Sequence, residues 1–324
     1  MNGYPAGPRP LVPAAVALVL AFTVATAVPA QSPPVAPGPA VSADALMATL
    51  RTLSSKEFEG RGAGTPGGAK ARAWVRERFG DIGLTPASDT FEHPFSFRPR
   101  GRAQDGAELP AVHAVNLIGT CPGTEPSLPV MVLSAHYDHV GVRGGEIFHG
   151  ADDNASGVAV LLEAAAHCVR QPFRRTVIVV AFDAEEMGLQ GARAFLAAPP
   201  VAKDRIALNV NLDMVARGDK GELYAAGLHH SPTLGPLLEP VAARAPIRLL
   251  FGHDTPGSGH DDWTLQSDHG VFHEAGIPFV YFGVEDHADY HRPTDTADKV
   301  NPDFFAKAAA TVLDALRALD AGLK

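Results

Sequence analysis

Cysteine, tryptophan and clustered basic residues are scarce in this sequence of 324 residues. It contains two cysteines and two tryptophans, and its 27 lysines and arginines are outnumbered by 36 acidic residues, for a formal net charge of −9. The basic residues are scattered, so the electrostatic footprint of a phosphate-backbone binder is missing, and we predict no nucleic-acid partner. Because 46% of the residues are hydrophobic, the chain can bury a large core and is predicted to be globular.

The sequence does not decide whether the two cysteines are paired in a disulfide or free. Cys121 and Cys168 are the only candidates for a disulfide, and an exported chain could pair them. The sequence does not show whether their geometry permits a bond. Cys168 falls late in a helical pattern, so a buried free thiol is at least as good an expectation as a disulfide.

The N-terminus carries a single long apolar segment. It runs from Leu11 to Val28, follows Arg9, and ends with small residues at Val28 and Ala30. This pattern predicts a signal peptide over residues 1–30 and export to the periplasm or beyond the cell, with no stable membrane association after cleavage. An uncleaved anchor remains the alternative, because the segment approaches the roughly 20 residues that span a bilayer.

A proline-rich segment separates this leader from the rest. Residues 31–41 contain four prolines and no charged side chain, a composition typical of an extended linker. We therefore predict that a single folded domain occupies residues 42–324.

The periodicity of the domain indicates alternating strands and helices. Short apolar runs predict buried strands, and apolar residues at helical spacing predict helices between them. The alternation predicts one α/β domain with a largely parallel central sheet and a site at the carboxyl ends of its strands. The predicted strands are Val130–Leu133, Val177–Phe182, Ile206–Leu212 and Phe279–Phe282, and the predicted helices begin after Thr65, near Ser156, at Leu189 and at Pro302.

Histidines and carboxylates follow these strands. His136 and Asp138 come after the first strand, and their spacing puts both side chains on the same side of extended backbone, so one can ligate a metal while the other orients it. Glu185 and Glu186 follow the next strand and point in different directions, which allows one to bind metal and the other to face the substrate.

Three further residues complete the candidate set. Asp213 ends another apolar strand, where a carboxylate needs a partner. Asp153 lies just before a helix and could bridge two metals with its two oxygens, although an isolated carboxylate there would be a helix cap. His291 lies in a loop without periodic role. Singly these signals are weak, but together they are the ligands of a pair of zinc-like ions.

With these residues in place, the sequence resembles the M28 family of zinc peptidases, in particular exported bacterial aminopeptidases. The resemblance runs from about residue 59 to residue 299 and specifically includes several flanking segments. Those are Glu59-Gly-Arg-Gly-Ala-Gly-Thr-Pro-Gly-Gly68, Asn116-Leu-Ile-Gly-Thr120, Ser267-Asp-His-Gly-Val-Phe272 and Gly276-Ile-Pro278. It implies a single three-layer domain with a mixed, largely parallel sheet flanked by helices, the phosphorylase/hydrolase-like fold of zinc peptidases.

The resemblance also implies roles for the candidate residues. It implies two zinc ions per chain and the hydrolysis of peptides by a metal-bridging water, with Glu185 as general base. Tyr290 resembles a tyrosine that hydrogen-bonds the developing oxyanion, and Asp138 would orient His136. The implied ligands are His136 and Asp213 for one metal, Glu186 and His291 for the other, and Asp153 between them.

Two other functions stay open on the sequence alone. A glutaminyl cyclase shares the fold but uses one zinc ion, and a peptidase-like binding module would have no chemistry. The complete ligand set and Glu185 favour the peptidase. Among the other histidines, His139, His149, His273 and His287 could compete as ligands, His269 is expected to support loops or line the substrate pocket, and Asp268 could reach the substrate amine.

Overall fold

A nine-stranded sheet forms the centre of the domain. The computed structural model describes residues 1–5, 7, 41–99, 101 and 108–324, and the chain divides into two units, Met1–Pro37 and Gly38–Lys324. The sheet belongs to the second unit. Most of the predicted signal peptide and linker lies outside the described residues. Within the described part of the chain, no helix has both the length and the apolar character needed to span a membrane.

The strands and helices alternate through most of the domain. The strands are β1 (Thr85–Pro86), β2 (Glu92–Phe97), β3 (Val112–Cys121), β4 (Val130–His136), β5 (Gly141–Arg143), β6 (Glu146–Phe148), β7 (Val177–Phe182), β8 (Ile206–Leu212), β9 (Glu222–Ala226), β10 (Arg248–Phe251) and β11 (Phe279–Gly283). The helices are α1 (Ala43–Leu53), α2 (Pro66–Ile82), α3 (Gly157–Arg170), α4 (Gln190–Ala197), α5 (Gly235–Arg244), α6 (His269–Glu274) and α7 (Pro302–Gly322).

The sheet is parallel at its centre, has antiparallel pairs on either side of that centre, and ends at one edge in the parallel pair of β9 and β10. Its order is β1-β3-β7-β4-β8-β11-β9-β10, with β2 also paired to β3. The four central strands β7, β4, β8 and β11 run parallel, whereas β3 pairs antiparallel with β7 and β9 pairs antiparallel with β11. The predicted mixed, largely parallel α/β sheet is confirmed, and the four central strands pair with one another only in parallel.

Alternation along the central strands builds two cores. In β4, Met131 and Leu133 belong to the core that α1, α3, α5 and α7 cover, while Val132 faces the second core with Phe195 of α4 and Phe272 of α6. Successive side chains of a strand point to opposite faces, so a continuous apolar run requires helices on both. The predicted three layers follow from this requirement.

The predicted helix ends agree with their caps. Thr65 precedes α2, and its hydroxyl accepts a hydrogen bond from Gly68 N–H at 3.2 Å, with Pro66 at the first helical position. Gly83 ends the helix with φ of 88°, a left-handed conformation that suits glycine. The C-terminal helix begins at Pro302 as expected and extends to Gly322, slightly beyond the predicted Leu319.

Cys121 and Cys168 form a disulfide, which decides a question that the sequence left open. Cys121 ends β3 and Cys168 lies on the face of α3 that packs against the sheet, with their Cα atoms 6.3 Å apart. The expectation of a buried free thiol was therefore wrong, although both residues are buried. The helical position of Cys168 gave no indication of its partner because β3 was not among the predicted strands.

Candidate metal centre

The carboxyl ends of the central strands bring the predicted site residues together. His136 is the last residue of β4, Glu185 and Glu186 follow β7, and Asp213 follows β8. These strands are parallel neighbours, so their carboxyl ends meet at one edge of the sheet. Asp153 reaches the same place from the helical turn before α3, and His291 from the loop after β11.

One group of ligands surrounds His136. Its Nε2 lies 3.3 Å from Asp213 Oδ1 and 3.4 Å from Asp153 Oδ1. All three side chains are buried or nearly so. Burial of the imidazole lowers the pKa of His136, but the carboxylates of Asp213 and Glu185 outweigh it and raise the pKa well above its usual value.

A second group shares Asp153. His291 Nε2 lies 3.0 Å from Asp153 Oδ2 and 3.2 Å from Glu186 Oε2, while His139 Nδ1 lies 2.8 Å from Glu186 Oε1. Burial lowers the pKa of His291, but the two carboxylates raise it to about 10. Burial alone would raise the pKa of Glu186, yet the two adjacent imidazoles hold it below its usual range. Asp153 thus turns one carboxylate oxygen to each group.

A chain of buried polar side chains holds Asp213 in place. Ser267 Oγ donates to Asp213 Oδ2 at 2.7 Å, and Asn211 Nδ2 donates to Ser267 at 2.9 Å. Ser134 on β4 in turn donates to Asn211 Oδ1 at 2.7 Å. These residues are fully buried, and such satisfied networks fix the orientation of the group at their end.

The segment around Asp153 is anchored from three sides. Asp295 accepts hydrogen bonds from the backbone N–H groups of Asp152 and Asp153, at 3.0 to 3.1 Å. Asn154 Nδ2 donates to Leu212 O at 2.9 Å, and Asn154 Oδ1 accepts from Gly157 N–H. Asn154 therefore supplies the hydrogen bond that caps the start of α3, which leaves the carboxylate of Asp153 available to the site.

Arg61 joins the two loops that carry the histidines and Asp153. Its guanidinium is fully buried and donates only to backbone carbonyls. The acceptors are Leu53, Tyr137, His149 and Gly150 at 2.8 to 2.9 Å and Asp153 at 3.4 Å. Burial lowers the pKa of Arg61 to about 10, so the side chain stays protonated at neutral pH beneath the carboxylates. The sequence marks the Gly60-Arg-Gly62 segment only through the family resemblance and does not indicate this role for Arg61.

Glu185 and Tyr290 line a large cavity next to the two groups. The cavity has a volume of about 1230 Å³, and His136, Asp153, Glu186, Asp213 and His291 are also in its wall. Burial raises the pKa of Glu185 well above its usual value, and the acidic neighbours add to the effect while His136 opposes it. Tyr290 stacks on the ring of His291 with the ring centroids 4.0 Å apart, so it both packs and faces the cavity.

Asp138 lies beside His136 but contacts it differently from the prediction. His136 Nδ1 is 3.1 Å from the backbone carbonyl of Asp138 and 3.7 Å from its carboxylate. The carboxylate instead accepts the backbone N–H of Glu185 at 3.1 Å. Residue 138 therefore orients His136 through its main chain and the Glu185 loop through its side chain.

The other acidic and histidine candidates lie outside the cavity wall. Asp268 is fully buried and His269 Nε2 contacts Trp263 O at 2.9 Å, so His269 supports a loop and Asp268 is shielded from a substrate amine. His149 Nδ1 lies 2.8 Å from Ser54 O, and His287 lies 3.3 Å from Asp152. The ring of His273 contacts that of His230 at a tilted angle, with the ring centroids 4.4 Å apart. Of these histidines only His139 joins the ligand groups.

The donor set fits a pair of metal ions. In each of two groups of side chains, the ligand atoms lie within 4.8 Å of one another. One group is His136 with Asp153 and Asp213, and the other is His139 with Asp153 and Glu186. Within the described residues, Glu186 Oε1 and both ring nitrogens of His139 find no hydrogen-bond partner. Buried carboxylates and imidazoles of this kind are paired or coordinate metals, and nitrogen and carboxylate oxygen are zinc ligands.

Comparison with known proteins gives the family. Residues 116–316 match the model of peptidase family M28. The chain is 29% identical over 198 residues to aminopeptidase YwaD of Bacillus subtilis, which covers 58% of this chain and 40% of that protein. It is 39% identical over 191 residues to the vacuolar membrane protease of Clavispora lusitaniae, covering 57% of this chain and 17% of that protein. The chain thus spans well under two thirds of these relatives.

Solved structures share the fold over a longer range. The zinc aminopeptidase BSAP of Bacillus subtilis superposes with a TM-score of 0.70 at 20% identity, over 85% of this chain and 95% of that one. The glutaminyl cyclase of Porphyromonas gingivalis superposes with a TM-score of 0.64 at 23% identity, over 86% and 98%. The family model covers more than half of the chain, and the predicted membership is confirmed: this protein belongs to peptidase family M28.

Proposed function

We propose that this chain is an exported aminopeptidase that holds two zinc ions and removes N-terminal residues from peptides. The observation that carries the proposal is the position of Asp153 between two ligand groups. One of its oxygens lies 3.4 Å from His136 Nε2 and the other lies 3.0 Å from His291 Nε2. A site for one metal needs only one set of ligands, whereas the carboxylate of Asp153 faces two sets.

Each ligand has a defined part in this proposal. His136 and Asp213 would hold one ion, Glu186 and His291 would hold the other, and Asp153 would offer one carboxylate oxygen to each. When bound, the two ions polarise the scissile carbonyl and lower the pKa of a water.

Glu185 and Tyr290 carry out the remaining steps. Glu185 lines the cavity without belonging to either ligand group, so its carboxylate is free to accept a proton from the attacking water and to deliver it to the leaving amine. Its raised pKa suits both the uptake of the proton from the water and its delivery to the leaving amine. Tyr290, which faces the same cavity, is placed to donate a hydrogen bond to the oxyanion.

Substrates with free and blocked N-termini test the proposal. We expect the metal-loaded protein to hydrolyse free aminoacyl amides and peptides and to leave their N-acetylated counterparts intact, with about two metals bound per chain as a two-metal site requires. Liquid chromatography of the products gives the end of the peptide that is attacked. Cleavage of acetylated peptides alone would refute an aminopeptidase, and release of pyroglutamyl termini with one bound metal would establish a cyclase.

Export is supported by the disulfide between Cys121 and Cys168, since disulfides persist in oxidising compartments. The predicted signal peptide over residues 1–30 is a second support. Protein recovered from outside the cytoplasm should begin at Gln31 in N-terminal sequencing and should react with a thiol reagent only after reduction. A full-length chain with two reactive thiols, retained in the cytoplasm, would overturn the export proposal.

A further inference from the structure

His139 lies at the ligand group around Glu186, yet it is outside the ligand set that the family resemblance implies. The residue lies in the loop that follows His136 at the end of β4, and its side chain has 0% exposure to solvent. Its backbone N–H donates to Arg61 O at 3.3 Å. A buried imidazole needs a partner for each ring nitrogen or a metal at one of them.

The contacts of the ring point towards the second ligand group. His139 Nδ1 lies 2.8 Å from Glu186 Oε1 and 3.6 Å from Asp153 Oδ2. Despite the short approach, neither Nδ1 nor Glu186 Oε1 makes a hydrogen bond with any described residue. Close nitrogen and oxygen atoms that are not aligned for a hydrogen bond are the arrangement of ligands that converge on a shared ion.

Packing fixes the ring in this position. A Cβ atom at Gly150 would lie only 2.5 Å from Cδ2 of His139, so the imidazole packs directly against the glycine backbone. The carbonyl of Gly150 is held in turn by Arg61 at 2.8 Å. His139 therefore reaches the site from a buried, closely packed position, whereas His291 reaches it from a surface loop with 40% of its side chain exposed.

We infer that His139 is a fourth protein ligand of the metal that Glu186 and His291 hold. With Asp153 Oδ2, these side chains offer two imidazoles and two carboxylates, which is a complete tetrahedral set for zinc. The His136 group offers only three ligands, so one position of that ion stays open for chemistry. The inference rests on the proposed two-metal function, but it concerns how the two sites differ.

Metal binding to the full chain tests this without any substrate. Co²⁺ is titrated into the metal-free protein, and the binding heat and the visible absorption of the ion are followed together. Loss of an outer hydrogen-bond partner costs 10- to 100-fold in metal affinity. For His139→Ala we therefore expect a loss of more than about 100-fold at one site, with a changed Co²⁺ spectrum for that site. The control His149→Ala, which alters a neighbouring histidine that contacts Ser54, should bind both ions normally.

Two results would overturn the inference. One is two-site binding with unchanged affinity and spectrum in His139→Ala. The other is a loss of 10- to 100-fold with an unchanged spectrum, which would make His139 an outer partner of Glu186. His139→Gln repeats the test with a bulkier side chain if the alanine variant does not fold.

X-ray absorption of the zinc-loaded wild-type chain answers the question without any variant. The spectrum should fit three imidazole ligands for the two zinc ions. A fit with only two imidazoles would refute His139 as a ligand. A chain that shows three imidazoles but cleaves no peptide would disprove the proposed function and leave this inference standing.

Discussion

Replacing Glu185 with glutamine should lower kcat by about 100- to 10,000-fold, the contribution of a positioned general base. Glutamine keeps the size and hydrogen bonding of the side chain but cannot accept a proton. Because Glu185 belongs to neither ligand group, the metal content of Glu185→Gln should match that of the wild type. Steady-state kinetics with a free aminoacyl substrate and metal analysis of the same sample measure both effects.

The neighbouring Glu186 provides the matched control. Glu186 contacts His139 and His291 and is one of the converging ligands. Glu186→Gln makes the same chemical change one residue away, and it should weaken metal binding as well as activity. If Glu185→Gln kept more than a tenth of the wild-type kcat, or lost metal as Glu186→Gln does, the assignment of Glu185 as base would be wrong.

Arg61→Met should lower the free energy of unfolding by at least about 4 kcal/mol, more than any of the other variants. The substitution removes a buried guanidinium that donates to five backbone carbonyls, and each buried carbonyl left without a partner costs roughly 1 to 3 kcal/mol. It also leaves the loops of His139 and Asp153 without their common anchor. Urea denaturation of the metal-free proteins measures the free energy of unfolding, and zinc titration measures the effect on the site.

Two further variants separate the causes. Arg61→Lys keeps the positive charge with fewer donors in a different geometry, so its stability should lie between wild type and Arg61→Met. Arg205→Met removes a guanidinium that donates to Ser127 O and Leu128 O at the surface, and it should cost less than about 1 kcal/mol. A loss below about 1 kcal/mol for Arg61→Met would show that its hydrogen bonds are replaced by water.

The parts of the site that follow buried strands were predictable from the sequence. A continuous apolar run indicates a strand covered on both faces, and the residue types just after Val130–His136, Val177–Phe182 and Ile206–Leu212 are those of a metal site. Since parallel strands end at one edge of the sheet, the positions of His136, Glu186 and Asp213 at or just after the ends of these strands were enough to predict that they lie close together.

Other parts depend on contacts between distant segments. Arg61 donates to carbonyls up to 92 residues away. Because these acceptors are backbone groups, the residue types in the sequence do not reveal them. The part played by the main chain of Asp138 was missed for the same reason. Strand β3 mixes polar residues such as Asn116 with apolar ones, so no clear period marked it, and the disulfide partner on β3 was hidden with it.

The segment before Trp263 holds elements that the sequence pattern does not mark. Residues 252–259 have the composition of a loop and lie in a loop of the structure, but β9, α5 and β10 precede them between Gly218 and Trp263. α5 contains Pro240, and β10 has only four residues, so neither gives a strong periodic signal. The pairing of β10 with β9, and of β9 with β11, supplies what the local sequence does not.

The central claim is that hydrolysis depends on two metals that share Asp153. It is tested most directly by adding zinc in small steps to the metal-free protein while both binding and the hydrolysis of a free aminoacyl substrate are followed. The account predicts no hydrolysis without metal, two bound ions at saturation, and full activity only as the second ion binds. Full hydrolysis by the metal-free chain, or saturation with a single ion, would contradict it.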